Sequence, residues 1–99
     1  MRMMMRALIP TESGNRIIED GTIQKVIEET MTQLQPEAAY FLAENGKRAV
    51  YAFFELKDST DIPSVGEPLF LGLNAEVELT PVMNAEELAT GLEKFAKSR

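Results

Sequence analysis

The sequence predicts an α+β fold of the order β-α-β-β-α-β with a further helix at the C-terminus. Three observations point there. Two β-rich runs, EAAYFLAE and KRAVYAFFEL, flank Asn45-Gly46, and Asn-Gly accepts the positive φ angles of a two-residue hairpin turn. A one-sided helical pattern precedes that hairpin, and a second apolar segment follows it. A strand-like run stands at each end of this series. Helices that connect strands in this way place a four-stranded antiparallel sheet, order 4-1-3-2, under helices on one face.

Each element follows from local chemistry. Residues 3–9 (MMMRALI) read as a strand that stops at Pro10, which cannot donate to a ladder. Residues 11–21 (TESGNRIIEDG) mix turn formers with Ile17 and Ile18, which predicts a loop holding one helical turn, broken at Asp20-Gly21. Asp20 or Thr22 can then cap a helix. That helix runs to about Leu34, with Ile23, Val26, Ile27, Thr30, Met31 and Leu34 on one side. Pro36 ends it. The hairpin occupies residues 37–56, and KDSTD after it is a polar loop. Residues 62–73 (IPSVGEPLFLGL) read as an irregular helix: Pro63 suits a first turn, while Gly66 and Pro68 limit regularity. Residues 75–83 (AEVELTPVM) alternate as a half-exposed strand. Asn84 with Glu87 forms a capping-box pattern opening a last helix, whose Leu88, Leu92 and Phe95 share a face. This is the split βαβ, ferredoxin-like order, and residues 1–99 read as one such domain.

The hairpin turn sets the register, and directly opposed residues share a sheet face. One face holds Ala39, Phe41, Val50, Ala52, Phe54 and Leu56, nearly pure hydrocarbon, and is assigned to the helices. The other holds Ala38, Tyr40, Leu42, Ala49, Tyr51, Phe53 and Glu55, joined by Met4, Arg6 and Leu8 and by Glu76, Glu78, Thr80 and Val82. A face left to water should be mostly polar, and a contiguous apolar patch of several hundred Å² is more than most monomers expose. With no helix left over to cover it, the expectation is a homodimer that packs two such faces together.

Composition excludes several classes. The 99 residues carry 10 Lys and Arg against 16 Asp and Glu, net −6, with no histidine or cysteine. A chain of this size buries roughly 65% of its surface, enough for one core. The acidic balance argues against nucleic acid, since phosphate contacts need a basic surface. No apolar run reaches the roughly 18 residues of a membrane span, so no membrane partner is expected. The start, MRMMMRALIP, lacks the length and small-residue cleavage site of a signal peptide. With no cysteine, a cytoplasmic location is the expectation. There is no Ser-His-Asp set, phosphate loop or dinucleotide fingerprint. Glu76 and Glu78 share a strand face, but two carboxylates alone make a poor metal site. No metal or cofactor is expected.

In element order, in the Asn45-Gly46 hairpin and in its aromatic second face, the chain resembles the dimeric α+β barrel superfamily, most closely its small stand-alone bacterial members. IPTESGNR and EPLFLGLNAEVELTPVMNAEEL look like signatures of such proteins. The resemblance implies two ferredoxin-like sheets closed into a barrel. Its haem-using branches are excluded here because no histidine exists to serve as an axial ligand. Cofactor-free oxygenation or isomerisation stays open, since fold does not dictate function.

Eight residues are candidates for a ligand site. Arg6 sits mid-strand on the second face, so it is either paired structurally with Glu78 or Glu55 or acts as an anion clamp in a barrel cavity. Tyr40 and Tyr51 are cross-strand neighbours beside Phe53; they either pack or meet an aromatic substrate. Asn15 and Arg16 lie in the segment after the first strand, a place for ligand contacts or simply a capped turn. Two readings follow. One is a homodimer binding a small aromatic or anionic molecule, with catalytic residues unassigned. The other is a non-catalytic dimerisation or interaction module with a filled barrel.

Overall fold

The computed structural model describes residues 1–99. The elements run β1 (Arg2–Ile9), α1 (Thr11–Glu19), α2 (Thr22–Leu34), β2 (Ala38–Glu44), β3 (Lys47–Glu55), α3 (Ile62–Leu73), β4 (Glu76–Pro81) and α4 (Ala85–Lys97). One antiparallel sheet has the order β2-β3-β1-β4. This is the ferredoxin-like arrangement, the predicted order read from the other edge.

The turn chemistry behaves as the residue types dictate. Asn45 and Gly46 take φ of 53° and 77°, the double positive of a type I′ turn. The hairpin register runs from Glu44 opposite Lys47 to Ala38 opposite Phe53. Pro68 stands inside α3 and has no N–H for the Ser64 carbonyl. That carbonyl instead accepts a hydrogen bond from Gln33 Nε2 at 3.0 Å. Asn84 and Glu87 close both bonds of the capping box, at 2.8 and 2.9 Å.

One side of the sheet carries the core. Met3, Met5, Ala7 and Ile9 of β1 join Val50, Ala52 and Phe54 of β3 beneath Leu34 of α2 and Val65, Leu69 and Leu73 of α3. Alternation along the strands and the 3/4 spacing on the helices put these residues inward. At Gly72 the two helices approach closely: a Cβ there would lie 3.0 Å from a Val26 methyl.

The structure corrects four expectations. Residues 11–19 form a helix, not a loop with a single turn. Its turn-forming residues are overridden by packing: Gly14 is buried against Ile9 and the Arg48 guanidinium, and Ile17 packs on the core. The polar loop after β3 contains a short 3₁₀ turn, Ser59–Asp61, where Asp58 accepts from the Thr60 N–H at 2.9 Å. The last strand covers 76–81 rather than 75–83. Phe41, assigned to the helix-covered face, is 58% exposed; its parity is right, but β2 is an edge strand that the helices do not fully cover.

α4 has no buried residue, and no other helix or strand packs extensively against it. The molecule therefore measures 55 × 28 × 18 Å. No helix is long and apolar enough to cross a membrane.

Candidate functional site

The sheet face away from α1–α3 is built in transverse rows. The central row reads Glu78, Arg6, Tyr51, Tyr40 across β4, β1, β3 and β2. On one side lies Glu76, Leu8, Ala49, Leu42, and on the other Thr80, Met4, Phe53, Ala38. Tyr40 is 63% and Leu42 is 42% exposed, while Met4, Leu8 and Phe53 are half-buried. No other element of the chain lies over this face.

Arg6 organises it. Its Nε donates to the Tyr51 hydroxyl at 2.9 Å and its Nη1 to Glu78 at 3.2 Å. Its Nη2 forms an ion pair with Glu44, and the Tyr51 hydroxyl donates to the same carboxylate. Glu44 is not opposite Arg6; it stands on β2, two strands away. It reaches the guanidinium across Ala49, whose single methyl lies between the Leu8 and Leu42 positions and is 2% exposed. A larger side chain at 49 would fill that path. The guanidinium stacks 5.9 Å from the centre of the Tyr51 ring, within cation–π range.

The electrostatic consequence is mutual. Hydrogen bonds from Tyr51 and then Arg6 hold the Glu44 carboxyl below its ordinary range. Hydrogen bonds to Glu44 and Tyr51 hold the Arg6 guanidinium above its own. One cation facing two carboxylates leaves the cluster net negative.

A lowered carboxyl pKa in the fold means stability that is full above the unfolded value, about 4.3. It is lost as the pH falls through the lower folded value. Melting temperatures of the native chain and of Glu44→Gln should therefore differ most near neutrality and converge below about pH 4. Asp20 and Asp58, held low by hydrogen bonds from Thr22 and Thr60, add their own losses in the same acid range. Both proteins will fall, and only the gap between them reports Glu44. A gap independent of pH would mean that Glu44 acts through packing alone.

The other candidates separate. Glu55 does not pair with Arg6. It stands opposite Arg2 and takes the N-terminal ammonium of Met1. Asn15 and Arg16 lie on α1, on the helix side of the sheet. Asn15 accepts two bonds from Arg48 at 3.2 Å, and Arg16 lies 3.7 Å from Glu12 one turn away. Arg6, Tyr40, Tyr51, Phe53 and Glu78 thus share one face, and Asn15 and Arg16 do not join them. Glu44 is the member that the sequence reading missed.

Three clefts are open on the surface. One, of about 390 Å³, lies between the end of α2 and the start of α3, lined by Gln33, Phe54, Lys57 and Asp61. Another, about 440 Å³, runs between α3 and β4. The third, about 350 Å³, sits at the rim of the open face, where Arg2, Tyr40 and Phe53 meet Met83 and Asn84. Every buried side-chain polar atom has a hydrogen-bond partner, so no orphaned group asks for a ligand. No set of three carboxylates is placed to hold a metal ion. Compared with protein-family models and with curated proteins, the chain matches none.

Proposed function

We propose that the chain works as a homodimer closed through its open sheet face, a dimerisation or interaction module in the manner of a dimeric α+β barrel. The observation that carries this reading is an aromatic and aliphatic sheet face that nothing in its own chain covers. Strand spacing and rise give that face about 20 Å by about 25 Å, a flat footprint on the order of 500 Å². A two-fold axis lets the face meet itself. Arg6 serves as a register device at the seam: Glu44, Glu78 and Tyr51 already satisfy it, and the net negative cluster repels an incoming anion.

A second reading is kept by the exposed Tyr40 ring beside Phe53. These would stack an uncharged aromatic molecule between the two sheets, with the Glu44–Tyr51 pair as the only proton-bearing couple in reach for cofactor-free chemistry.

Light scattering after size-exclusion chromatography tests the dimer. Twice 11.1 kDa is expected at micromolar concentration, and 11.1 kDa throughout the range would remove the proposal. A thermal-shift screen of aromatic and dicarboxylic acids separates the two readings. No stabilisation is expected. A shift abolished by Tyr40→Ala would favour the ligand-binding barrel.

A further inference from the structure

Leu88, Leu92 and Phe95 recur on α4 at the spacing of one helical stripe, flanked by Ala85 and Ala96. All are exposed, with Leu92 at 58%. An amphipathic helix of this kind is held in place by a surface that takes its apolar face. Its own body does not supply one.

The root of α4 tells where it is aimed. Arg2 bridges Glu37 and Glu87, and Val82 N–H donates to the Arg2 carbonyl at 3.1 Å. Met83 and Asn84 therefore border the same cleft as Tyr40 and Phe53, at the rim of the open sheet face. A helix anchored there runs beside whatever docks on that face.

The same chain carries an unfilled apolar groove on the opposite side of the sheet, formed by Ile62, Gly66 and Phe70 of α3 with Val77 and Leu79 of β4. Its own α4 starts on the wrong face to reach it. Charge also matches. Glu67 beside the groove and Asp61 at the start of α3 have no ion-pair partner, and neither have Lys94 and Arg99 near the end of α4. Length matches as well. Thirteen residues of helix span about 20 Å, so after crossing the roughly 10 Å between packed sheets the outer half, which carries Leu92 and Phe95, reaches the far side of the partner.

We propose that α4 is an exchanged arm, the Leu92–Phe95 end of its apolar stripe lying in the α3–β4 groove of a second copy of this chain. Each arm adds a face of about 20 by 10 Å. Together with the sheet this brings the interface to the roughly 800 Å² per partner of a stable complex. The proposal rests on the homodimer, and the test keeps the two apart.

The chain has no cysteine, so single-cysteine full-length variants are clean probes. Leu92→Cys and Phe70→Cys chains, mixed and oxidised, should give a disulfide-linked pair of twice 11.1 kDa. Leu92→Cys with Lys25→Cys should give none. Both probe positions, Leu92 and Phe70, are exposed in the single chain, so folding is not at stake. Leu92→Glu should weaken dimerisation by about tenfold or more. A dimer by light scattering with no 70–92 link overturns the arm and leaves the sheet-face dimer standing. A monomer mass at all concentrations overturns both. An internal disulfide in a chain carrying both cysteines would place the arm on its own body and overturn the exchange. Sedimentation with phosphatidylglycerol vesicles, lost in Leu92→Glu, would assign the stripe to a lipid surface instead and equally overturn it.

Discussion

Leu42→Glu is expected to weaken self-association by at least about 100-fold, a loss of roughly 2.8 kcal/mol. Leu42 is 42% exposed in the single chain, so the substitution leaves the fold of one copy intact. Two-fold symmetry places the new carboxylate on both sides of the seam. Burying an unpaired ion costs several kcal/mol after relaxation, and here the cost arises twice in each dimer. Glu44, Glu76 and Glu78 already engage Arg6 and Lys47 on this face and outnumber them, so the added carboxylate meets net negative charge rather than a free partner. Lys25→Glu on exposed α2 is the control, since it shifts net charge further than Leu42→Glu without touching the sheet face. Sedimentation equilibrium at several concentrations reads both. If the two variants associate equally well, the open face is not the seam.

The pairing of residues on that face was legible from one dipeptide. Asn45-Gly46 admits a single tight turn, the turn sets which residues oppose, and a period of two sets which face each occupies. That logic places Tyr40 beside Tyr51, and the hairpin register agrees; for Arg6 the shared face leaves both Glu78 and Glu55 open, and the β1–β4 register selects Glu78. It does not reach Glu44, because opposition in register is not the only route by which long side chains meet. Glu44 and Arg6 are joined across an intervening strand over Ala49. A small residue flanked by long charged ones on the same face is the signal that would have found the pair. Glu55 shares the face with Arg6, yet its register places it against Arg2, at the end of β1, where it takes the N-terminal ammonium.

Residues 11–19 depart from their local preference for a different reason. Thr, Ser, Gly and Asn favour turns because their side chains or backbone freedom compete with the helix. Burial of Gly14 and docking of Ile17 outweigh that preference, and tertiary context of this kind is invisible locally. The helical periodicity of α4 was plain. What the stripe packs on was not, because amphipathicity says that a face must be buried and is silent on which molecule buries it.

Leu69→Ala is expected to cost about 2–5 kcal/mol, the largest stability loss of any single truncation considered. Leu69 is 0% exposed at the centre of α3, between Val65 and Leu73, and belongs to the cluster that joins the helix layer to Met5 and Ala52 of the sheet. Truncation removes methylene groups and leaves a cavity that α3 has little freedom to close. Gly72 holds the helix close against Val26 of α2, while at Gly66 the space a side chain would take is filled by Phe70 of the same helix. For a domain near this size each kcal/mol moves the melting temperature by about 4–8 °C, so a drop of roughly 10 °C or more is expected. The measurement belongs at a concentration where the native chain is monomeric, because dimerisation adds stability by mass action. Under the same conditions Leu92→Ala should stay within about 0.5 kcal/mol of the native chain, as an exposed residue does. Its effect should emerge only as concentration rises and the arm finds its groove. A Leu69→Ala variant melting within about 3 °C of the native chain would show that α3 collapses onto the sheet and that the core is less rigid than its packing indicates.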